Sequence, residues 1–108
     1  MLVNDFQQAC ERTWNTDQAP KEEWSNAALG LAGEAGEVVD YLKKVLFHGH
    51  TMHGAKLAKE LGDVLFYTAI LATLGGYSLA EVMQMNIDKL KARYPDGFTT
   101  AASVNRKE

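Results

Sequence analysis

Apolar residues recur at intervals of three and four along most of the chain, the spacing of one buried helical face, and nowhere is a strand-like alternation sustained. From Trp24 the series Ala27, Ala28, Leu31, Ala35, Val38, Leu42, Val45 and Leu46 predicts a long helix that ends near Phe47. A loop from His48 to Gly54 follows, and then a second series, Leu57, Leu61, Val64, Leu65, Thr68, Ala69, Leu71 and Ala72, which Gly75-Gly76 stops. Ser78-Leu79-Ala80-Glu81 has the Ser-x-x-Glu form of a capping box and opens a helix carrying Leu79, Val82, Met83, Asn86, Ile87 and Leu90. That helix has to stop before Pro95. Upstream, Leu2, Phe6, Ala9, Cys10 and Thr13 predict a shorter first helix, and the turn formers from Asn15 to Pro20 separate it from the next. The tail from Thr99 to Glu108 is small and polar, and a loosely docked or frayed end is expected there. The pattern as a whole is all-α.

Composition adds boundaries to this picture. The 108 residues suit one domain spanning 1–108, and 46% apolar with 23% charged residues is a globular balance that argues against disorder. A formal charge of −3 disfavours nucleic-acid polymers and anionic membranes as partners. No apolar run approaches the ~18 residues of a membrane span. The segment Met1 to Cys10 lacks the basic-then-apolar order of a secretory signal, so a cytoplasmic location is expected. The single cysteine, Cys10, has no partner for a disulfide and sits at a helical core position, which favours packing over chemistry.

Four acids change the picture more. Glu34 and Glu37 are three apart, as are Glu60 and Asp63, so each pair shares a helix face. Glu34 with Asp63, and Glu37 with Glu60, are both symmetric about the loop at His48-Gly49. Folding the two helices back as a hairpin therefore sets the pairs opposite each other. Like charges so placed repel by about 1 kcal/mol or more per pair, which calls for a counter-cation or raised pKa values. An all-carboxylate, oxygen-rich shell suits Mg²⁺ or Mn²⁺ better than Zn²⁺, and such ions are commonly shared with substrate phosphates. The plain alternative is that the acids solvate outward helix faces. It is weakened by this symmetry and by Gly30, Gly33, Gly36 and Gly62, each costing about 1 kcal/mol against Ala in a helix interior. Such glycines need a reason, either close helix approach or space for a ligand.

With Glu34-Ala35-Gly36-Glu37 on one helix and Glu60-Leu61-Gly62-Asp63 on the next, the chain resembles the MazG-like all-α nucleoside triphosphate pyrophosphohydrolases. The likeness extends to Ala28–Glu37, Val64-Leu65-Phe66-Tyr67, Asn86-Ile87-Asp88-Lys89-Leu90 and Arg93–Phe98, and covers roughly Asp5 to Phe98. The resemblance implies a four-helix bundle-like MazG-type fold with an antiparallel central hairpin, assembled as a homodimer or homotetramer. It also implies Mg²⁺-dependent hydrolysis of an NTP or dNTP between the α and β phosphates, giving monophosphate and pyrophosphate. Glu34, Glu37, Glu60 and Asp63 would hold the metal and carry catalysis, with Glu37 the favoured general base. By the same resemblance Tyr67, Asn86 and Lys89 would contact phosphates or the metal site, and Lys44, with Lys43, could offer a phosphate contact.

Some residues stay open. Trp24 and Asn26 could line a nucleobase pocket, although a tryptophan near a helix start is more often packing. His48, His50 and His53 lie about ten residues, or about 15 Å along a helix, from the acids, so they are expected to be too far to complete that site. The competing class is a helical regulatory module that binds a nucleotide or protein without turnover. The full set of four acids argues for the enzyme.

Overall fold

The structure is a computed structural model and describes residues 1–106. Its helices are α1 (Val3–Cys10), continued by a 3-10 turn at Glu11–Thr13, α2 (Pro20–Phe47), α3 (Gly54–Leu74), α4 (Leu79–Arg93) and α5 (Thr100–Val104). Among the described residues no strand forms, and the all-α expectation holds.

The 28-residue α2 begins one turn earlier than its apolar periodicity suggests. Pro20 occupies its first turn, where the missing N–H costs nothing, and Glu22 and Glu23 complement the positive end of the helix dipole. That turn faces water and carries no apolar signal. The 21-residue α3 ends where expected, at Gly75-Gly76. Gly76 takes a φ of 82°, and the turn closes with Tyr77 N donating to Ala72 O at 2.9 Å and Gly76 N to Thr73 O at 3.1 Å. These are the two bonds of a Schellman cap.

Helices α2 and α3 form an antiparallel hairpin, and its register can be read from four contacts. Trp24 lies 3.8 Å from where a Cβ on Gly75 would stand, and the ring of Tyr67 occupies the space of a Cβ on Gly30. Further along, Glu34 meets Asp63, and Tyr41 bonds the backbone of His53. The core lies at the end of the hairpin away from the histidine loop. Cys10, Ala27, Ala69, Ile70 and Leu79 are buried there, with Phe6, Trp14, Phe66, Leu71 and Leu74 packed around them. Burial pushes the Cys10 thiol above its ordinary pKa, so it stays protonated and packs as an apolar group.

Helix α4 starts on the expected capping box, with Glu81 N donating to Ser78 Oγ at 3.1 Å and Ser78 N to Glu81 Oε1 at 2.9 Å. It leaves α3 at a bend of 99°. The described chain is open, with a radius of gyration of 16.9 Å where a compact chain of this length has about 13 Å. The tail holds the short helix α5, capped by Thr99 through Ala102 N; it has no apolar series to announce it. Lys107 and Glu108, the last residues of the expected loose end, lie outside the described residues.

One buried polar side chain ties these parts together. Gln7 is 8% exposed, and its amide donates to Thr73 Oγ1 (3.0 Å) and Tyr77 O (2.9 Å) and accepts from Leu79 N (2.6 Å). It thereby fixes α1 against the α3–α4 turn and satisfies a free N–H at the start of α4. Replacing Gln7 by Ala leaves the buried Leu79 N–H without a bond, and should cost about 1–3 kcal/mol of stability in a denaturation titration.

Candidate active site

The hairpin register brings three of the four acids together. One carboxylate oxygen from each of Glu34, Glu60 and Asp63 lies within 4.8 Å of the others. Glu34 and Glu60 are half-buried and Asp63 is exposed, so the cluster opens to solvent from a partly shielded floor. The carboxyl of Glu34 is pushed above the usual carboxylate range, first by burial and then by the charges of Asp63, Glu60 and Glu37. Glu37 therefore acts on the cluster electrically while standing outside the triad. It lines a neighbouring cleft of about 120 Å³ together with Glu60, Asp40, Tyr41, Lys44, His50 and Lys56.

Of the four helix glycines, Gly30 alone serves close approach, because a Cβ there would overlap the Tyr67 ring. Gly33, Gly36 and Gly62 have nothing within 4 Å of where a Cβ would stand. They leave the surface beside the acids bare. Tyr67 is half-buried, set edge-on to Phe66 at 5.1 Å, and its hydroxyl bonds to none of the described residues.

Lys44 lines the cleft, but its charge is engaged: Asp40 sits 2.9 Å from Lys44 and 3.3 Å from Lys43. The bonds from Lys44 and then Lys43 hold the Asp40 carboxyl below its usual pKa, and Asp40 in turn raises that of Lys44. Asn86 and Lys89 lie elsewhere within this chain. They line an apolar groove of about 790 Å³ between α3 and α4, walled by Leu65, Tyr77, Val82 and Met83, and no member of the acid cluster borders it. Trp24 and Asn26 sit toward the Gly75 end of the hairpin, away from the acids.

Among the described residues no histidine joins the acid cluster, as expected, but one of the three comes nearer than a count along the helix suggests. His50 borders the same cleft as Glu37 and Glu60. The loop does not extend the helix axis but folds back, with Gly49 at a φ of 72° and His50 N donating to Lys44 O at 3.1 Å. Tyr41 anchors it from below, its buried hydroxyl accepting from His53 N at 2.7 Å and donating to His53 O at 3.3 Å. Tyr41 and Lys56 were not singled out from the sequence. The signal was available, since Tyr41 is four after Glu37 and Lys56 four before Glu60, each on the acid face.

The MazG nucleotide pyrophosphohydrolase domain model matches residues 23–98, which hold both acid pairs. The chain belongs to the MazG family. A relative of this MazG chain is the Gene 37 protein of Mycobacterium phage L5, 36% identical over 76% of this chain and 75% of the relative. No solved structure matches. The MazG family is one of nucleotide pyrophosphohydrolases and generally depends on a divalent metal, and the Glu34, Glu60 and Asp63 triad is an acidic cluster of suitable kind. Among the described residues no single helix is long and apolar enough to cross a membrane.

The raised Glu34 carboxyl has a measurable consequence for the metal-free protein. A carboxyl whose folded pKa lies above its unfolded value costs stability once pH exceeds the unfolded value, and the cost is complete above the folded one. In EDTA, Glu34→Gln should therefore melt higher than wild type at neutral pH, with the gap closing as pH falls below the ordinary carboxylate range.

Proposed function

We propose that this chain hydrolyses a nucleoside or deoxynucleoside triphosphate at the α–β bond, releasing monophosphate and pyrophosphate, with Mg²⁺ as the physiological metal and Mn²⁺ as a substitute. The observation that carries the reading is the convergence of Glu34, Glu60 and Asp63 on the hairpin of a MazG-family chain. Three hard carboxylate oxygens within 4.8 Å of one another would hold such an ion. When bound, the ion supplies positive charge to the phosphate oxygens and acidifies water. Glu34, Glu60 and Asp63 hold it. Glu37, beside the triad and not within it, is the carboxylate free to take a proton from the attacking water.

Lys44, Tyr67, Asn86 and Lys89 are proposed to contact substrate. For Lys44 the support is its place on the cleft that Glu37 and Glu60 share. Tyr67 lies one turn beyond Asp63, and its hydroxyl bonds to none of the described residues. Asn86 and Lys89 face an apolar groove, so in this reading they serve an assembled oligomer in which subunits meet along α4. A homodimer or homotetramer is supported by the open shape and by apolar side chains left exposed on α2 and α4, such as Leu29 at 74%, Val39 at 65% and Met85 at 57%.

Incubation of a panel of ordinary and damaged nucleotides with Mg²⁺ should release pyrophosphate, not orthophosphate, from at least one member. Asp63→Ala or Glu37→Ala should reduce the rate by about a hundredfold or more, as loss of a metal ligand or of a general base does. Metal-dependent binding with no monophosphate formed would replace the enzyme by a nucleotide-binding module. Sedimentation at micromolar concentration should give a dimer or tetramer, and a stable monomer would end the assembly proposal.

A further inference from the structure

The cleft beside the triad combines positive charge, a fixed aromatic wall and a shared acid. Lys56 Nζ stands 5.2 Å from the centre of the Tyr41 ring, and among the described residues it forms no ion pair. Three carboxylates also line the cleft, Glu37, Asp40 and Glu60, and two of them have another commitment. Asp40 is held by Lys43 and Lys44 at 3.3 and 2.9 Å, and Glu60 belongs to the triad. The Lys56 ammonium is thus kept at the cleft by a ring and makes no ion pair with the third, Glu37. The ring itself cannot turn freely, because the Tyr41 hydroxyl is bonded on both sides to the backbone of His53. The folded-back loop delivers His50 to the same space through its bond to Lys44 O at 3.1 Å.

Size and position narrow the ligand. A cleft of about 120 Å³ has room for a phosphoryl group. Lys56 precedes Glu60 by one helical turn, about 6 Å of rise, the reach of two linked phosphoryl groups starting from the triad. From this we infer that the cleft is the subsite for the terminal, β and γ, phosphoryl groups of the triphosphate, with Lys56 its principal cation, His50 a second donor, and Tyr41 the positioning residue for both. The inference rests on the triphosphate reading above. It assigns direction along the site: the pyrophosphate half lies toward the histidine loop and the nucleoside half toward the body of the hairpin.

The test uses the full chain with Mg²⁺ and three probes: inorganic pyrophosphate, orthophosphate and the nucleoside monophosphate product. Calorimetric binding of pyrophosphate should weaken roughly ten- to a hundredfold in Lys56→Met, as expected for loss of one charge-assisted bond, and be largely restored in Lys56→Arg. Monophosphate binding should stay within about twofold of wild type, and an unchanged melting temperature shows that the variant is folded. In turnover, KM for the triphosphate should rise in the same variant. If wild type hydrolyses triphosphates but Lys56→Met binds pyrophosphate as wild type does, the subsite is wrong and the enzyme reading stands. If pyrophosphate binds through Lys56 and no nucleotide is turned over, the subsite stands and the enzyme reading falls. Weakened orthophosphate binding with pyrophosphate affinity and triphosphate KM unchanged would mark a site for free phosphate and would also overturn the inference.

Discussion

The register of the α2–α3 hairpin is the constraint on which everything else in this molecule depends. Small residues set it: Ala27 and Ala69 are fully shielded in the core, and Gly30 gives up its side-chain space to the Tyr67 ring. A larger residue at any of these positions pushes the helices apart or slides one past the other. Sliding by a single residue turns a helix face by about 100°, so Glu60 and Asp63 would no longer meet Glu34. The acids themselves supply no force for that meeting. Their charges oppose it, as the raised Glu34 carboxyl records, and the packing at the core end has to overcome the repulsion. The site is thus imposed on the hairpin from its far end.

Much of this was legible in the sequence because it depends on spacing. Helix periodicity, the Gly75-Gly76 stop, the Ser78 capping box and the symmetry of the acids about the loop are all properties of residue order, and the structure has each of them. What escaped depends on how irregular backbone folds in space. The glycine turn at Gly49 brings His50 back alongside the helices, whereas counting residues along a helix axis carries it away. Gln7 escaped for another reason. Glutamine is ordinarily a surface residue, and only the α3–α4 turn, far away in sequence, supplies the partners that let it be buried. The separation of Asn86 and Lys89 from the acids likewise follows from the bend before α4, an angle that no periodicity encodes.

The two sides of the hairpin divide the chemistry. One side carries charge in a graded order along α3, from the Lys56 cation to the Glu60 and Asp63 anions. The other carries the apolar groove under α4. Within one chain the charged cleft and the apolar groove are thereby kept apart, and neither has to accommodate the dielectric the other needs.

The Gln7 clamp also bears on the order in which the chain assembles. The bond from Leu79 N to Gln7 joins residues 72 apart, whereas the hairpin closes on itself across the short His48–His53 turn. Because the entropy lost in closing a loop grows with its length, loop closure costs less for the hairpin than for the docking of α1. The family match begins at residue 23, so the segment that completes the fold lies outside the part that defines the family. The four acids lie inside the matched span, and Gln7 lies outside it.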